Sequence, residues 1–212
     1  MTRNYNYKWV LALTVAVATV SMPALAQKKS DKTDKSEKTQ KSAATTAQAA
    51  PKSQNAAATA AVGGVQPSLL GQYGDWGAYT ASPGGKKICF ALAKPAKGST
   101  EPPNRPRDPA YMFISTRPAE KVTNEVSVIL GYGLKPSSDA LVEIGSSKYA
   151  MYTQNDGAWI KNAAEENRLI EALRKGADVV VKGESSRGTR TTDTYALKGL
   201  AQALDRVGQE CK

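Results

Sequence analysis

The sequence of 212 residues contains no histidine and only two cysteines, Cys89 and Cys211. Without histidine the chain cannot form a Ser-His-Asp or Cys-His catalytic site, and nearly all common zinc sites are excluded as well. The two cysteines are far apart in the sequence, so a Cys-x-x-Cys redox motif is also missing. A Ser-x-x-Lys nucleophile motif is absent too, because Ser146-Ser147-Lys148 has the wrong spacing.

Motifs that bind phosphate or calcium are incomplete or absent. Gly84-Gly85-Lys86-Lys87 lacks both the upstream glycine and the following Ser or Thr of a phosphate loop. Gly131-Tyr132-Gly133 is more typical of a turn that ends a strand. The sequence contains no Asp-x-Asp-x-Asp-Gly calcium loop. Carboxylates are therefore the remaining candidates for catalysis.

Four carboxylates near predicted strand ends are candidate catalysts: Asp75, Glu143, Asp156 and Asp193. A glycosidase needs two carboxyl groups close together, but the alternative that we favour places each of them in a turn or on a solvated face. Three basic residues are candidates for a rim around residues 183–188, although a solvated hairpin tip is the simpler interpretation: Lys182, Arg187 and Arg190. Trp76 and Trp159 are set among apolar or small residues, so we predict that both anchor the core.

The first 26 residues have the three parts of a secretory signal peptide. Two basic residues precede an uncharged, mostly apolar run from Val10 to Met22, and Ala24-Leu25-Ala26 places small residues where signal peptidase reads them. We expect cleavage between Ala26 and Gln27, followed by export to the periplasm or the cell surface. A permanent membrane helix needs about 20 apolar residues, so a retained anchor is the less favoured alternative. The mature chain is then predicted to have no transmembrane segment.

Residues 27–66 differ in composition from the rest of the chain. They contain no aromatic residue and carry seven lysines against three acidic residues, a net charge of +4 within the chain's total of +10. Such a segment buries too little apolar surface to offset its ordering entropy. We therefore expect a disordered tether. Its role is either that of a solvating spacer, which we favour, or a weak electrostatic contact with an anionic envelope surface, and no specific nucleic-acid binding is predicted.

Residues 67–212 are long enough for one domain with a buried core. Short apolar or alternating runs recur, separated by turns; Val126, Val128 and Leu130 alternate with polar residues, as in a sheet with one buried face. Nine strands are predicted, at 75–80, 87–93, 111–116, 125–130, 140–144, 148–153, 158–161, 177–182 and 191–197. The loop from Lys94 to Pro109 contains five prolines and is predicted to lack regular structure. Many short strands with few helices favour an antiparallel sandwich.

Two helices interrupt the strands. The first is predicted to begin at Asn162, with Glu165 as its capping partner, and to end at Gly176. Its apolar face consists of Leu169, Ile170 and Leu173. The second is predicted from about Lys198 to Gln209, with an apolar stripe formed by Leu197, Leu200, Leu204, Val207 and Cys211.

The two cysteines of an exported chain most simply form one disulfide bond. Cys89 lies in an apolar predicted strand and Cys211 on the apolar stripe of the last helix, so both sulfurs can point inward. The alternatives are two separate buried thiols, or a free Cys211 close to the chain end.

Several motifs together resemble the invasion-associated locus B (IalB) family of bacterial envelope proteins. Tyr-Gly-Asp-Trp at 73–76 is similar to the family's aromatic-Gly-Asp-Trp opening, and Cys89 follows about a dozen residues later. Asn155-Asp156-Gly157 lies in the middle hairpin, and the next helix has the pattern Leu-Ile-x-Ala-Leu-Arg-Lys-Gly at 169–176. Tyr-Ala-Leu-Lys-Gly-Leu-x-x-Ala-Leu at 195–204 is similar to the family's Ser-Leu-Lys-Gly-Phe ending.

The resemblance covers residues 69–208 and implies an immunoglobulin-like β-sandwich that is exported and associated with host-cell invasion or colonisation. It brings no enzymatic activity and no cofactor. Many relatives carry a second cysteine pair around the middle turn, whereas Thr153 and Ala158 stand at those positions here. The Asn-Asp-Gly turn must therefore hold this hairpin without a local disulfide.

Three functions remain as hypotheses. The first is a non-enzymatic binding module that contacts an unidentified protein partner in the envelope or on a host cell through a sheet face, a sheet edge or the Lys94–Pro109 loop. The second is a structural or stress-related periplasmic factor without a host role. The third, which we favour least, is a carboxylate-based hydrolase of cell-wall glycan.

Overall fold

The computed structural model describes residues 52–212, so the predicted signal peptide and residues 27–51 of the predicted tether lie outside the described part. Its α-helices are α1 (Lys52–Ala61), α2 (Glu166–Lys175) and α3 (Leu200–Glu210). Its strands are β1 (Ser68–Tyr73), β2 (Trp76–Ala81), β3 (Ile88–Ala93), β4 (Lys97–Glu101), β5 (Tyr111–Arg117), β6 (Val122–Ile129), β7 (Asp139–Ile144), β8 (Ser147–Gln154), β9 (Gly157–Ile160), β10 (Asp178–Glu184) and β11 (Arg190–Ala196).

All eleven strands belong to one antiparallel sheet in the order β1-β2-β3-β5-β6-β9-β8-β7-β10-β11-β4. The sheet folds over, because strands from both of its ends contribute to the same apolar core. The indole N–H of Trp76 in β2, for example, donates a hydrogen bond to the carbonyl oxygen of Ala196 in β11, with an N···O distance of 2.9 Å. The prediction of a mainly β, antiparallel fold with a C-terminal helix is confirmed. The two sheet layers that face each other across this core are the two halves of one continuous sheet.

The helices α2 and α3 pack on this core as the sequence predicts. The side-chain oxygen of Asn162 accepts a hydrogen bond from the backbone N–H of Ala164 (3.1 Å), and Gly176 follows the last residue of α2. A short 3₁₀ turn over Ala163–Glu165 precedes α2, so the α-helix begins four residues after the capping Asn162. The predicted apolar residues of both helices are buried: Leu169, Ile170, Leu173, Leu197, Leu200, Leu204, Val207 and Cys211.

The disulfide joins Cys89 in β3 to Cys211 just after α3 and spans 122 residues of sequence. The two Cα atoms are 5.9 Å apart, and both residues belong to the apolar core. Beside it, the ammonium group of Lys87 donates to the Glu210 carboxylate (2.8 Å) and to the Glu210 carbonyl oxygen (2.6 Å). The end of the chain is therefore held to the start of β3 by a covalent bond and by an ion pair.

Two strands lie where the sequence predicted none. β1 pairs with β2 through a register irregularity between Leu69 and Gly71, which obscures its alternation. β4 lies inside the Pro-rich loop, whose prediction as wholly irregular was wrong. The five residues of β4 include no proline, and the strand is an edge strand that pairs only with β11. Prolines that flank an edge strand remove no ladder hydrogen bond.

The helix α1 lies within residues 27–66, for which the sequence predicted a disordered tether. It covers Lys52–Ala61, and its Ala57 and Ala58, with Val62 just after it, are buried against the outer face of the sheet. The expectation of disorder is therefore wrong for this part of the tether. The composition of the segment shows only that it has few apolar side chains of its own to bury. The helix α1 is ordered because the rest of the domain supplies an apolar surface on which it packs.

Candidate functional site

A cleft with a volume of about 700 Å³ is formed by three loop segments. The first is the Pro-rich loop after β4, the second is the turn after β6, and the third is the turn between β10 and β11. The second and third segments are joined by two backbone hydrogen bonds, from Ser186 N to Gly133 O (2.9 Å) and from Lys135 N to Glu184 O (3.0 Å). The sequence predicted the Lys94–Pro109 loop as a binding element, and the structure places it at one wall of this cleft.

A buried ion pair attaches the Pro-rich loop to the sheet. The guanidinium of Arg107 donates to both carboxylate oxygens of Asp193 in β11, with a distance of 2.7 Å from Nη1 to Oδ2, and Nη1 also donates to the carbonyl oxygen of Leu130 (3.2 Å). The Asp193 side chain is fully buried, whereas that of Arg107 is 16% exposed toward the cleft. The hydrogen bonds with Asp193 raise the pKa of Arg107 further above its usual value, so the guanidinium stays charged. Bidentate pairing of this kind fixes both position and orientation.

Gly131 is the residue that lets the Pro-rich loop approach the second segment. Its carbonyl oxygen accepts from the backbone N–H of Asp108 (2.9 Å), and its φ angle of +76° lies in the left-handed region. A Cβ atom at this position would lie 2.0 Å from the carbonyl oxygen of Asp108. Only glycine tolerates both the backbone angle and the close approach.

Two tyrosines line or underlie the cleft. The hydroxyl groups of Tyr132 and Thr191 are 2.6 Å apart, and burial raises the pKa of Tyr132 above its ordinary value. Tyr195 is fully buried beneath them, and its hydroxyl has no hydrogen-bond partner among the described residues. Burial places the pKa of Tyr195 well above the ordinary value of a tyrosine. Both phenols are therefore neutral at physiological pH and cannot act as anionic nucleophiles there.

The mouth of the cleft is cationic. Arg105 lies in the first segment and Arg187 in the third, both are exposed, and no ion pair within residues 52–212 engages either guanidinium. Asp108 is the one carboxylate among the described lining residues. Ser185 shapes the third segment, because its hydroxyl oxygen accepts from the backbone N–H groups of Arg187 (3.3 Å) and Thr189 (3.0 Å).

The four candidate catalytic carboxylates lie in separate parts of the fold. Asp75 is exposed in the turn between β1 and β2, and Asp156 is exposed in the turn between β8 and β9. Glu143 in β7 contacts the ammonium groups of Lys182 (2.7 Å) and Lys148 (3.4 Å), and these contacts lower its pKa. Asp193 is occupied by Arg107. The interpretation of Asp193 as a turn former or solvated group is therefore wrong, because its side chain is buried and paired with Arg107.

Of the predicted basic rim, only Arg187 lines the cleft of about 700 Å³. Lys182 pairs with Glu143, and Arg190 pairs with Glu101 across β4 and β11 (3.3 Å). The turn Gly131-Tyr132-Gly133 was correctly predicted to end a strand, and it also forms one wall of the cleft. The Gly84-Gly85-Lys86-Lys87 segment contacts the last residue of α3, because the ammonium group of Lys87 pairs with the Glu210 carboxylate.

Trp76 lies in the core as predicted, whereas the prediction of a core position for Trp159 was wrong. Trp159 occupies the position in β9 between the buried residues Ala158 and Ile160, so its side chain points to the outer face. There it stacks on Tyr152 of the neighbouring strand β8, with ring centroids 5.7 Å apart.

Within residues 52–212, no cluster of three or more Cys, Asp or Glu side chains is arranged to hold a metal ion. None of the helices in the same range combines the length and the apolar character needed to cross a bilayer.

Sequence reasoning named Asp193, Arg187 and the Pro-rich loop separately, but it did not anticipate the pairing of Arg107 with Asp193. Arg107 and Asp193 are 86 residues apart, and nothing local to either marks it as one half of a buried pair. A usable signal was present for Arg107, because it lies among the prolines of the loop, where a rigid backbone needs a fixed attachment point.

A comparison with protein-family models gives one match. The model described as "Invasion associated locus B (IalB) protein" matches residues 76–208. In the other two comparisons, no curated protein and no solved structure matches the chain. The matched range begins at Trp76 in β2, ends within α3, and contains all three walls of the cleft. Because it covers more than half of the sequence, the chain belongs to the invasion-associated locus B family.

Proposed function

We propose that this protein is an exported, non-enzymatic binding module that contacts a protein partner in the bacterial envelope or on a host cell. The proposal agrees with the family description, which refers to invasion. The observation that carries it is the cleft of about 700 Å³. The Arg107–Asp193 pair fixes one of its walls, and backbone hydrogen bonds join the other two. Loops that a rigid sheet holds in place are where binding residues concentrate.

The chemistry of the cleft suits an acidic segment of a protein. Arg105 and Arg187 present planar guanidinium groups, each able to donate two parallel hydrogen bonds to one carboxylate. Hydroxyl groups of the third wall and the backbone of the Pro-rich loop supply further neutral partners. A catalytic role has less support, because the carboxylates named above are dispersed, occupied or exposed in turns.

A photo-crosslinking experiment tests the binding site. A photoreactive amino acid replaces Arg187 in the cleft in one variant, and Glu171 on the exposed face of α2 in the control variant. We expect a discrete adduct from the cleft position in intact producing cells, and its loss when Arg105→Glu is added. The same adducts from both positions, or no effect of Arg105→Glu, would refute the assignment of the cleft.

A protease experiment tests the proposed address. The lysine-rich residues 27–51 are expected to be cut wherever trypsin reaches the protein. Cleavage on intact cells would place the module outside the cell and support a host-facing partner. Cleavage only after the outer membrane is permeabilised would favour a periplasmic role without a host partner. Protection in both cases would contradict export.

A further inference from the structure

The outer face of the sheet carries a second apolar cluster that is separate from the core. Tyr79 stacks on Phe90 with ring centroids 5.4 Å apart, and Phe90 contacts Phe113 at 6.1 Å. Further along the same face lies the stacked pair of Tyr152 and Trp159, where Tyr152 is 46% exposed. These five rings belong to five different strands. A solvated sheet face is ordinarily polar, so this face is built to be covered.

The helix α1 covers one end of this aromatic face. Ala58 is fully buried there, and Ala57 and Val62 are nearly so. The Asn55 side-chain oxygen accepts a long hydrogen bond from the hydroxyl of Tyr79 (3.4 Å). Tyr79 itself is fully buried, and this burial raises its pKa to about 12.

The attachment of α1 is weak for a helix that covers a large apolar surface. It has ten residues, and most of the side chains that it buries are methyl groups of alanine. It has no acidic residue in its first turn and no basic residue in its last turn, so nothing complements the helix dipole. Gln54 donates to the carbonyl oxygen of Asp75 (2.8 Å), but its buried side-chain oxygen has no hydrogen-bond partner among the described residues.

Beside α1 the aromatic face is left partly open. A groove of about 440 Å³ lies between the helix and the strands, with Ala57, Ala60 and Ala61 on one side and Phe113, Ile129 and Trp159 on the other. The groove is also lined by the ion pair between Arg117 and Glu125 (3.0 Å). The alanine side chains are too short to fill this space. Larger apolar side chains on a helix in the same position would fill it.

We propose that α1 is a displaceable cover, and that the face beneath and beside it is the docking site for an amphipathic helix of a partner protein. The position of α1 shows that this face accepts a helix, and the unfilled groove shows that a helix with larger apolar residues fits better. Helices that lay an apolar face into a hydrophobic groove are a common mode of recognition. This inference is independent of the cleft, which lies at the loops of the sheet.

The affinity of the partner helix depends on how often α1 is absent. A site that is free for only one tenth of the time binds about ten times more weakly than a permanently open site. Displacing α1 by mutation should therefore strengthen the binding of an external helix by about that factor or more. Holding α1 down should weaken it.

The test uses the protein purified in its cellular form and a labelled synthetic peptide as the probe. The peptide has the sequence of residues 52–62 with Ala57→Leu, Ala60→Leu and Ala61→Leu, so that its larger side chains match the groove. In the protein, Ala58→Glu places a charge in the buried contact of α1, and Ala56→Glu is the matched control on the exposed side of the same helix. We expect the Ala58→Glu protein to bind the peptide at least tenfold more tightly than the wild type or the control. Equal binding to all three proteins, or binding to none, would overturn the proposal.

A second pair of variants works in the opposite direction and does not rely on a buried charge. Ala60→Leu with Ala61→Leu in the protein itself should fill the groove, raise Tm and reduce peptide binding, whereas Ala56→Leu should do neither. A lower Tm for the Ala60→Leu, Ala61→Leu variant would show that the groove does not accommodate a helix with larger apolar side chains. If the Ala58→Glu protein instead forms a dimer that excludes the peptide, the face belongs to a second copy of this chain, and the partner helix is refuted.

Discussion

Replacing Arg107 with alanine should destabilise the domain more than any other surface-accessible change in the Pro-rich loop. The substitution removes both hydrogen bonds to Asp193 and the one to the Leu130 carbonyl oxygen. Because Asp193 is fully buried, its carboxylate is left without a compensating charge. Breaking a buried pair in this way costs about 3–5 kcal/mol, which is a large fraction of the about 5–15 kcal/mol that stabilises a typical domain.

Urea unfolding followed by tryptophan fluorescence measures the effect. With an m-value of about 2 kcal/mol/M, a loss of about 4 kcal/mol lowers the midpoint by about 2 M. Arg105→Ala is the matched control, because Arg105 is exposed in the same loop, and its effect should stay within about 0.5 kcal/mol. Arg107→Lys keeps the charge but loses the bidentate geometry, so an intermediate loss is expected.

The double variant Arg107→Met with Asp193→Leu separates the pair from the packing around it. Replacing both members of a buried pair by apolar residues of similar size is often neutral or stabilising, so this variant should recover most of the stability that Arg107→Ala loses. If Arg107→Ala costs less than about 1 kcal/mol and matches Arg105→Ala, the pair does not anchor the loop. The reasoning about the cleft walls would then be wrong.

Three further predictions concern the rest of the fold. Cys89→Ser opens a loop of 122 residues and should lower the free energy of unfolding by up to about 5 kcal/mol on the chain-entropy estimate; reduced wild type should unfold at the same urea concentration as the variant. Thr153 and Ala158 face each other across β8 and β9, so the double variant Thr153→Cys with Ala158→Cys should form a disulfide spontaneously in air. A thiol assay should then detect neither thiol, and the free energy of unfolding should rise by about 2 kcal/mol. Thiols that stay free in air would refute this register. Burial raises the pKa of Glu166, so the folded state keeps this proton to higher pH than the unfolded state, and stability falls as the pH rises through that interval. Glu166→Gln should therefore raise Tm at pH 7 and leave it unchanged at pH 3, and a pH-independent difference would contradict this cause.

Much of the fold follows from local sequence patterns. The alternation of Val126, Val128 and Leu130 predicts which side of β6 is buried, because side chains of a strand point alternately to its two faces. The spacing of the apolar residues in the last helix predicts correctly that Cys211 faces the core. These features depend only on neighbours within a few residues, so the sequence carries them directly.

The elements that sequence reasoning missed are ordered by distant parts of the chain. β4 exists because β11 supplies its one neighbour, and α1 is ordered by aromatic side chains from β2, β3 and β5. Neither segment has enough apolar residues of its own to indicate regular structure. The order comes from a surface that only the folded domain provides.

The cleft was predictable only in pieces. The Pro-rich loop was singled out as a binding element and does line the cleft, and Gly131-Tyr132-Gly133 and Arg187 were noted as weak signals in isolation. What joins them is the pair of Arg107 and Asp193, which is buried only after β11 has been placed beside β4. A single sequence gives no indication of which acidic residue will lie beneath a loop that is 86 residues away.

The meeting of the two ends of the domain has a consequence for the order in which the protein folds. Trp76 in β2 donates a hydrogen bond to Ala196, and Cys89 forms the disulfide with Cys211. Gly199 lies so close to Tyr73 that a Cβ atom on Gly199 would be 2.0 Å from the Tyr73 carbonyl oxygen. Synthesis proceeds from the N-terminus, so the first strands wait for partners that are made last. Contacts between residues so distant in sequence slow folding. The core therefore stays incomplete until α3 and Cys211 have been made.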